Sequence, residues 1–442
     1  MEIRLSDHFT YKKLIRYTLP SIAMMIFTSI YGVVDGFFVS NFVGKTPFAA
    51  VNFIMPLLMI LGAVGFMFGT GGCALVSKYM GEGNSERANR TFSMLIYVTL
   101  AVGSLIALTG ILALRPIASL LGASGRMLED CVLYGRIVLL ALPAFMLQIE
   151  FQSFLVSAER PKLGLFITLA SGIANMLLDA LLVGILPLGL VGAALATAIS
   201  QLIGGIVPLL YFAFPNKSTL RLTGFSLDLR ALLRTCANGS SELMSNVSMS
   251  LVGMLYNVQL MKYEGENGVA AYGVLMYVSM IFMASFIGYI IGVAPIISYH
   301  YGAQNHDELK SLRKKSLRII LYASLSMLVL GELLSQPLSL LFVSYDPKLY
   351  DLTLRGFFFY SFSYLFCGIA IFGSGFFTAL NNGLVSAIIS FLRTLVFQII
   401  AVLVFPLLCG IDGIWLSIVF AELAAALITS LFLKKMQKRY HY

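Results

Sequence analysis

The sequence is poor in charged residues. Only 12% of its 442 residues are charged, whereas 59% are hydrophobic. Soluble domains carry about 25% charged residues, so this scarcity excludes water as the main surrounding solvent. The apolar residues form continuous runs of about the 20 residues that a helix needs to cross a bilayer, without the alternation of a spanning strand. The sequence therefore predicts an all-α integral membrane protein.

Residues that bind metals or form catalytic centres are also scarce. The four histidines and five cysteines show neither a C-x-x-C motif nor the spacing of metal ligands. Gly44-Lys45-Thr46 resembles the end of a phosphate-binding loop, but Val39 stands where that loop needs a glycine. No serine, histidine and aspartate share a hydrolase pattern. We therefore expect no enzymatic activity and no cofactor.

The basic residues lie mostly on one side of twelve predicted spans. With both termini in the cytoplasm, only seven of the 30 lysines and arginines fall on the outer side. This bias follows the positive-inside rule, so the net charge of +9 reflects membrane topology and predicts no nucleic-acid partner. We expect a multi-pass protein of the plasma (inner) membrane without a cleavable signal peptide. The predicted spans are 14–40, 48–77, 92–114, 131–157, 163–186, 189–212, 236–261, 269–298, 317–342, 353–378, 384–408 and 413–433.

The chain partly repeats itself at an offset of 221 residues, at which Gly81 aligns with Gly302. Six spans per half is an even number, so both halves enter the membrane in the same orientation. Such a parallel repeat occurs in transporters that place the substrate between the repeats. The prediction is two pseudo-symmetric six-helix lobes, residues 1–214 and 236–442, joined by a cytoplasmic amphipathic linker at 215–235.

Polar side chains interrupt the apolar spans of the first half, where Asn175 and Asp179 share one face of the fifth helix. Ala193 and Thr197 share a face of the sixth helix, and Asp35 lies at a comparable depth in the first. At the offset of the repeat the second half is apolar, so symmetric folding does not explain these polar residues. Asn175 aligns with Val396, Asp179 with Ile400 and Thr197 with Ile418.

Two carboxylates inside a membrane are costly. A charged side chain at mid-bilayer costs at least ~2.5–3.5 kcal/mol, and two acids in low dielectric repel each other. A pocket formed by Asp35, Asn175, Asp179 and Thr197 would favour H⁺ or Na⁺ as the bound ion. The alternative is structural, with Asp35 reaching the outer interface and Asp179 capping a bend. A substrate cavity has its own candidates, which are Glu242, Tyr31, Met55, Met276 and Arg393.

Several short motifs occur in a fixed order along nearly the whole chain. In the first half they include Val34-Asp35-Gly36, Gly69-Thr70-Gly71-Gly72, Asn175-Met176-Leu177-Leu178-Asp179 and Gly189-x-x-Gly192-Ala193-Ala194-x-Ala196-Thr197, and in the second half Ala294-Pro295-Ile296-Ile297-Ser298-Tyr299 and Gly302-Ala303-Gln304-Asn305. In this order they resemble the MATE (multidrug and toxic compound extrusion) family, in its MepA-like branch.

This resemblance implies two six-helix lobes in a V around a central cavity, working by alternating access. It also implies a cation site in the first lobe, with Asp35, Asn175, Asp179, Thr197 and the Ala193 carbonyl as ligands. The expected function is a secondary antiporter that exports organic, often cationic, amphipathic compounds in exchange for H⁺ or Na⁺, acting as a monomer in the lipid bilayer. The alternative is a flippase or exporter of a lipid-linked saccharide or another amphiphile, a class that more often has fourteen spans and a cationic cavity.

Overall fold

The computed structural model describes residues 3–344 and 346–442, and within these ranges all regular structure is helical. A chain in lipid must satisfy its backbone hydrogen bonds internally, which a helix does within one segment. Twelve helices cross the molecule. They are α1 (Tyr11–Phe38), α2 (Lys45–Gly81), α3 (Ser85–Leu120), α4 (Gly125–Leu140 and Leu142–Ser157), α5 (Pro161–Asp179), α6 (Gly189–Ala213), α7 and α8 (the two arms of Leu229–Gly302), α9 (His306–Val343), α10 (Pro347–Tyr360 and Tyr364–Ala379), α11 (Gly383–Phe391 and Phe397–Cys409) and α12 (Ile411–Lys435).

The predicted twelve spans are confirmed, although α4 and α10 are not straight. Two arms of one 74-residue helix become α7 and α8 because the chain breaks at Gly265, whose φ of 62° favours glycine. The span predicted as continuous over 131–157 bends by 56° within α4. Pro143 explains the bend, since it stands at the start of the second arm and cannot donate a helical hydrogen bond. A 3₁₀ turn at Ser361–Ser363 interrupts α10.

The two lobes share helix-capping residues as well as the order of their helices. Asn84 accepts a hydrogen bond from the Arg87 amide at 3.0 Å and so caps α3. Asn305, its partner in the repeat, accepts one from the Glu308 amide at 3.1 Å and caps α9. A side-chain oxygen at this position satisfies an amide that the first helical turn leaves free. Corresponding residues therefore begin corresponding helices.

The lobes pack against each other at the face that holds both chain termini, hereafter the terminal face. Gly81 and Gly302, which the repeat aligns, meet there in close backbone contact. A side-chain carbon on Gly81 would lie 2.0 Å from the Tyr299 carbonyl oxygen, and one on Gly302 would lie 2.1 Å from that of Lys78. Only glycine permits this approach, so the pair marks where the lobes close.

The half of the molecule away from the terminal face lacks such contacts at two glycines. Gly32 of α1 and Gly253 of α7 lie in that half of the membrane. Among the described residues, no atom comes within 4 Å of a side-chain carbon added at either position. The tight contacts of Gly81 and Gly302 between the lobes therefore lie at the terminal face, and these two positions have none with the described part of the chain.

The N-terminal segment bridges the lobes at the closed face. The Leu5 amide donates to Glu159, in the loop after α4, at 2.7 Å. The Phe9 amide donates to Glu308, at the start of α9, at 2.9 Å. Leu5 and Phe9 are both fully buried, so this segment adds to the packing between the lobes.

The chain between α6 and α7 is irregular. Residues 214–228 are extended or bent, and they follow the surface of α3. The Arg221 amide donates to Asn89 at 2.9 Å, and the Thr223 amide donates to Ser93 Oγ at 2.8 Å. The segment that the sequence predicts as a linker is thus held against the first lobe by its backbone.

Replacing Gly81 with alanine should prevent closure of the terminal face, because the added carbon meets backbone atoms that have no room to move. Spin labels on Glu86→Cys and Ala303→Cys would report the distance across this face. We expect a longer distance in the Gly81→Ala protein. Gly253→Ala, whose added carbon meets open space, is the matched control, and equal distances in all three proteins would contradict this account of closure.

Candidate functional site

The first helix lies along the fifth in parallel orientation. A side-chain carbon on Gly172 of α5 would lie 2.9 Å from the ring of Tyr31 on α1, so the two helices are in close contact at this level. Asp35 is one helical turn beyond Tyr31, and Asp179 lies two turns beyond Gly172. Their carboxyl groups interact electrostatically across the boundary between the helices.

The fifth and sixth helices form an antiparallel pair. Ser171 Oγ donates to the Ser200 carbonyl oxygen at 2.6 Å and fixes the register of the two helices. Because antiparallel neighbours run in opposite directions, one turn beyond this bond Asn175 stands opposite Thr197. The next turn sets Asp179 near Ala193, which is fully buried. The carbonyl of Ala193 as an ion ligand remains a prediction.

The polar side chains of this pocket lie within interaction distance of one another, yet several of their oxygens form no well-aligned hydrogen bond within the described part of the chain. Asp179 is fully buried and Asn175 is 2% exposed. Among the described residues, neither oxygen of Asp179 has a hydrogen-bond partner, and the same is true of Asp35 Oδ1, Asn175 Oδ1 and Thr197 Oγ1. Buried polar groups are almost always paired, so several orphaned oxygens converging in one place indicate a site that binds something.

Tyr134 belongs to the same pocket and was not predicted. It lies on the first arm of α4, its side chain is fully buried, and its hydroxyl lacks a hydrogen-bond partner among the described residues. The hydroxyl faces Thr197 and the two carboxyl groups of Asp35 and Asp179. The only sequence signal is a tyrosine within an apolar span, which many of the 21 tyrosines share.

Wide π-helical turns follow both carboxyl groups. Val39–Val43 continues α1 one turn after Asp35, and Ala180–Ile185 begins directly after Asp179. A third π turn, Leu392–Val396, contains Arg393. Such turns are rare and occur often at functional sites. In this chain each of them adjoins a charged residue inside a span.

The five predicted cavity residues fall into two groups. Tyr31 lies beside Asp35, and Met55 lines a small cavity next to Thr197, so both belong to the first-lobe site. The other three lie in the second half of the chain. Met276 accepts a weak hydrogen bond from the Tyr360 hydroxyl at 3.8 Å, and Glu242 faces Arg393 electrostatically.

Arg393 is paired within the second lobe. Its Nε donates to both carboxylate oxygens of Glu422, at 3.1 and 2.8 Å. Both side chains are nearly buried, with 12% and 5% exposed. Unlike the acids of the first lobe, Glu422 therefore has its counterion in contact. Glu242 lies near this pair without forming a salt bridge among the described residues.

The second lobe contains polar contacts that the alignment of the two halves at an offset of 221 residues did not predict. Val396, Ile400 and Ile418 are indeed apolar, but the Tyr256 hydroxyl lies 2.8 Å from Gln398 Oε1 and 2.9 Å from Ser417 Oγ. The polar positions are displaced along the helices, so an alignment at one offset misses them. The two polar clusters differ in hydrogen bonding, since Tyr256, Gln398 and Ser417 are paired whereas several oxygens of the first-lobe pocket are not paired with any described residue.

A helical membrane protein of two lobes, closed at one face and carrying unpaired carboxyl groups inside one lobe, has the construction of a transporter. The chain belongs to the MatE family, whose model matches residues 20–181 and 243–404. One matched stretch lies in each half of the chain, as the internal repeat predicts.

Proteins of known name are similar over almost the whole length. The multidrug export protein MepA of Staphylococcus haemolyticus is 27% identical over 435 residues, which cover 97% of this chain and 94% of that protein. MepA of Staphylococcus saprophyticus is 25% identical over 431 residues, with the same coverage. These matches identify a transporter of the MepA branch.

Solved structures share the fold. An outward-facing multidrug resistance MATE family transporter of the MOP superfamily superimposes with a TM-score of 0.93 at 21% identity, over 98% of this chain and 97% of that one. A MOP superfamily transporter from Pyrococcus furiosus, described as having a binding pocket of reversed polarity, gives a TM-score of 0.91 at 21% identity, over 98% of both chains. The twelve-helix, two-lobe architecture is thus confirmed.

Replacing Glu422 with glutamine should destabilise the protein by about 3–5 kcal/mol, because it leaves the Arg393 charge buried without a counterion. Thermal unfolding in detergent would measure the loss. The double variant Glu422→Gln/Arg393→Met should recover much of it, since no unpaired charge remains. Additive losses in the double variant would show that the pair does not stabilise the lobe.

Proposed function

We propose that this protein is a multidrug efflux antiporter that exports organic, often cationic compounds in exchange for H⁺ or Na⁺. The observation that carries the proposal is the first-lobe pocket, where Asp35 and Asp179 lie together without a basic partner. Two carboxylates in low dielectric cannot both stay charged unless something neutralises them. A proton, a small cation or both would do so, and the names of the MepA relatives support drug export as the process that this ion drives.

In this proposal the ion changes the balance between two lobe arrangements. An ion shifts a conformational equilibrium only by its difference in affinity for the two states. The pocket joins α1 to α4, α5 and α6, and α1 also contacts the second lobe, where a side-chain carbon on Gly288 would lie 2.6 Å from the Ile22 Cα atom. Neutralising Asp35 and Asp179 would alter the position of α1 and, through it, the contact between the lobes.

The second lobe supports a cationic substrate. Arg393 and Glu422 neutralise each other, which leaves Glu242 as an acidic group of that region without a salt bridge among the described residues. An acidic group without a counterion can bind an organic cation and offers nothing to an anionic headgroup, which is the reason to prefer drug export to the flippase alternative. Flexible methionines such as Met276 and Met283 suit substrates of varied shape.

The remaining assignments are part of the same proposal. We place the protein in the plasma membrane as a monomer, with the terminal face in the cytoplasm, as the distribution of basic residues predicts. Residues 1–214 and 236–442 would be the moving lobes, with 215–235 as their linker. Transport would need no cofactor, and Na⁺, if used, would bind Asp35, Asn175, Asp179 and Thr197.

Asp35→Asn or Asp179→Asn should abolish ion-coupled efflux and leave expression intact, because each removes a charge that the ion neutralises while keeping the side-chain size. Ethidium efflux from vesicles under an imposed proton gradient, and then under a sodium gradient, would measure coupling and name the ion. Glu86→Gln, at an exposed ion pair of the same lobe, is the control. Normal efflux in both aspartate variants would refute the coupling site.

Tyr134→Phe should weaken ion binding without abolishing it. The substitution removes a single hydroxyl, and one hydrogen bond contributes about 0.5–1.5 kcal/mol, or roughly 2–10-fold in affinity. The concentration of the driving ion that gives half-maximal efflux would measure this change, with Tyr97→Phe, an exposed tyrosine of α3, as the control. An unchanged value would place the hydroxyl outside the ion's coordination.

A further inference from the structure

Another carboxyl group lies in the first lobe, outside the Asp35–Asp179 pocket. Glu150 is on the second arm of α4, is fully buried, and has no hydrogen-bond partner for either oxygen among the described residues. Its polar neighbour is Thr99 of α3, whose hydroxyl interacts with the carboxyl group without forming a well-aligned hydrogen bond. Because an isolated buried carboxylate is strongly disfavoured, burial favours the neutral, protonated form of this group.

Glu150 is directed away from the ion pocket. Gln148, two residues earlier on the same arm, bonds Ser171 of α5 at 3.4 Å, on the side of the pocket. Residues two apart on a helix do not share a face. Glu150 instead lies against α2, where a side-chain carbon on Gly69 would be 3.2 Å from its Cα atom. The two acidic positions are therefore separate.

A seam of hydroxyl and thiol groups lies between α2 and α4, beginning one helical turn from Glu150 on the side of the terminal face. Ser153 and Ser157 follow Glu150 at intervals of three and four residues along α4. The Cys73 thiol contacts the Ser153 carbonyl at 3.6 Å and the Ser157 hydroxyl at 2.9 Å, and the Ser77 hydroxyl lies 2.9 Å from the same Ser157 oxygen. Hydroxyl and thiol groups both donate and accept hydrogen bonds, so the linked side chains of Cys73, Ser157 and Ser77 can pass a proton among themselves.

The environment of Glu150 depends on how the lobes meet. Gly69 packs against Glu150, and Gly71, two residues further along α2, packs against α7 of the second lobe. A side-chain carbon on Gly71 would lie 2.3 Å from the Thr235 carbonyl oxygen. When the lobes separate at the terminal face, α2 loses this support beside the seam. The burial of Glu150 is therefore tied to the conformation of the transporter.

We propose that Glu150 is a second proton-binding group of the transport cycle, loaded in this conformation and exchanging its proton with the terminal face along the seam. On release the carboxylic acid O–H bond breaks, the proton passes through the seam to water, and a carboxylate remains; loading reverses this step. A proton suits the site better than Na⁺, because Na⁺ needs several ligand oxygens. Besides the carboxyl group itself, the neighbouring side chain that offers an oxygen is Thr99. The role in transport rests on the proposed antiport, whereas protonation of Glu150 does not.

Infrared difference spectra of the full-length protein in lipid, recorded across a pH jump, would test this inference. We expect wild type to show C=O bands of protonated carboxylic acids, one of which persists in the Asp35→Asn/Asp179→Asn variant and disappears at alkaline pH. Glu150→Gln, which keeps the size and neutrality of the protonated acid, should lose that band and most proton-driven ethidium efflux. Glu86→Gln should keep both. An unchanged band, or normal efflux in Glu150→Gln, would overturn the proposal.

A second variant covers the case in which Glu150→Gln does not fold. Ser157→Ala keeps the carboxyl group but breaks the seam, so the Glu150 band should respond more slowly to the pH jump than in wild type. Ser326→Ala, at an exposed hydroxyl bonded within α9, is the control, and an unaltered rate in Ser157→Ala would contradict the route. If wild type exports no ethidium, the proposed function fails, yet the infrared band still decides whether Glu150 binds a proton.

Discussion

The structure depends on carboxyl groups that are kept in a low-dielectric interior without basic partners. Asp35 and Asp179 are the main case, because each raises the cost of charging the other, and lipid-facing helices offer no water to reduce that cost. The second lobe shows that the fold can pair such charges when stability is all that is needed, since Arg393 and Glu422 form a two-bond ion pair. The first-lobe pocket holds two acids without a basic partner among the described residues, and the exchangeable ion that we propose would account for this difference between the lobes.

The same helices connect ion binding to shape. Helix α1 carries Asp35 near one end and packs against α8 near the other. Helix α2 contacts Glu150 at Gly69 and contacts Thr235 of α7 at Gly71. Both acidic positions of the first lobe thus adjoin a helix that also forms the boundary between the lobes. Close glycine contacts, such as that of Gly81 with Gly302, make this boundary a tight fit. Packed interfaces of this kind favour discrete arrangements over gradual deformation.

Much of the fold could be predicted because lipid leaves few options. The apolar runs give twelve helices, and the spacing of Asn175 and Asp179 places them on one helical face. The bend in α4 also had a signal, since Pro143 disfavours helical backbone at the residue before it. Tyr134 and the pairing of Arg393 with Glu422 had none, because such contacts join helices far apart in sequence. The π turns beside Asp35, Asp179 and Arg393 likewise leave no periodic pattern in the sequence.

The most direct test of the central claim compares proton binding by wild type and by the double variant Asp35→Asn/Asp179→Asn. Potentiometric titration of the purified proteins in detergent, with and without Na⁺, would count the protons that each binds between acid and alkaline pH. The account predicts that wild type binds more protons than the variant, and that Na⁺ displaces the excess if it is the coupling ion. The variant lacks two aspartates and so must lose two ordinary aspartate titrations at acid pH. If the curves of wild type and variant differ only by that loss, with and without Na⁺, these carboxyl groups hold no exchangeable ion.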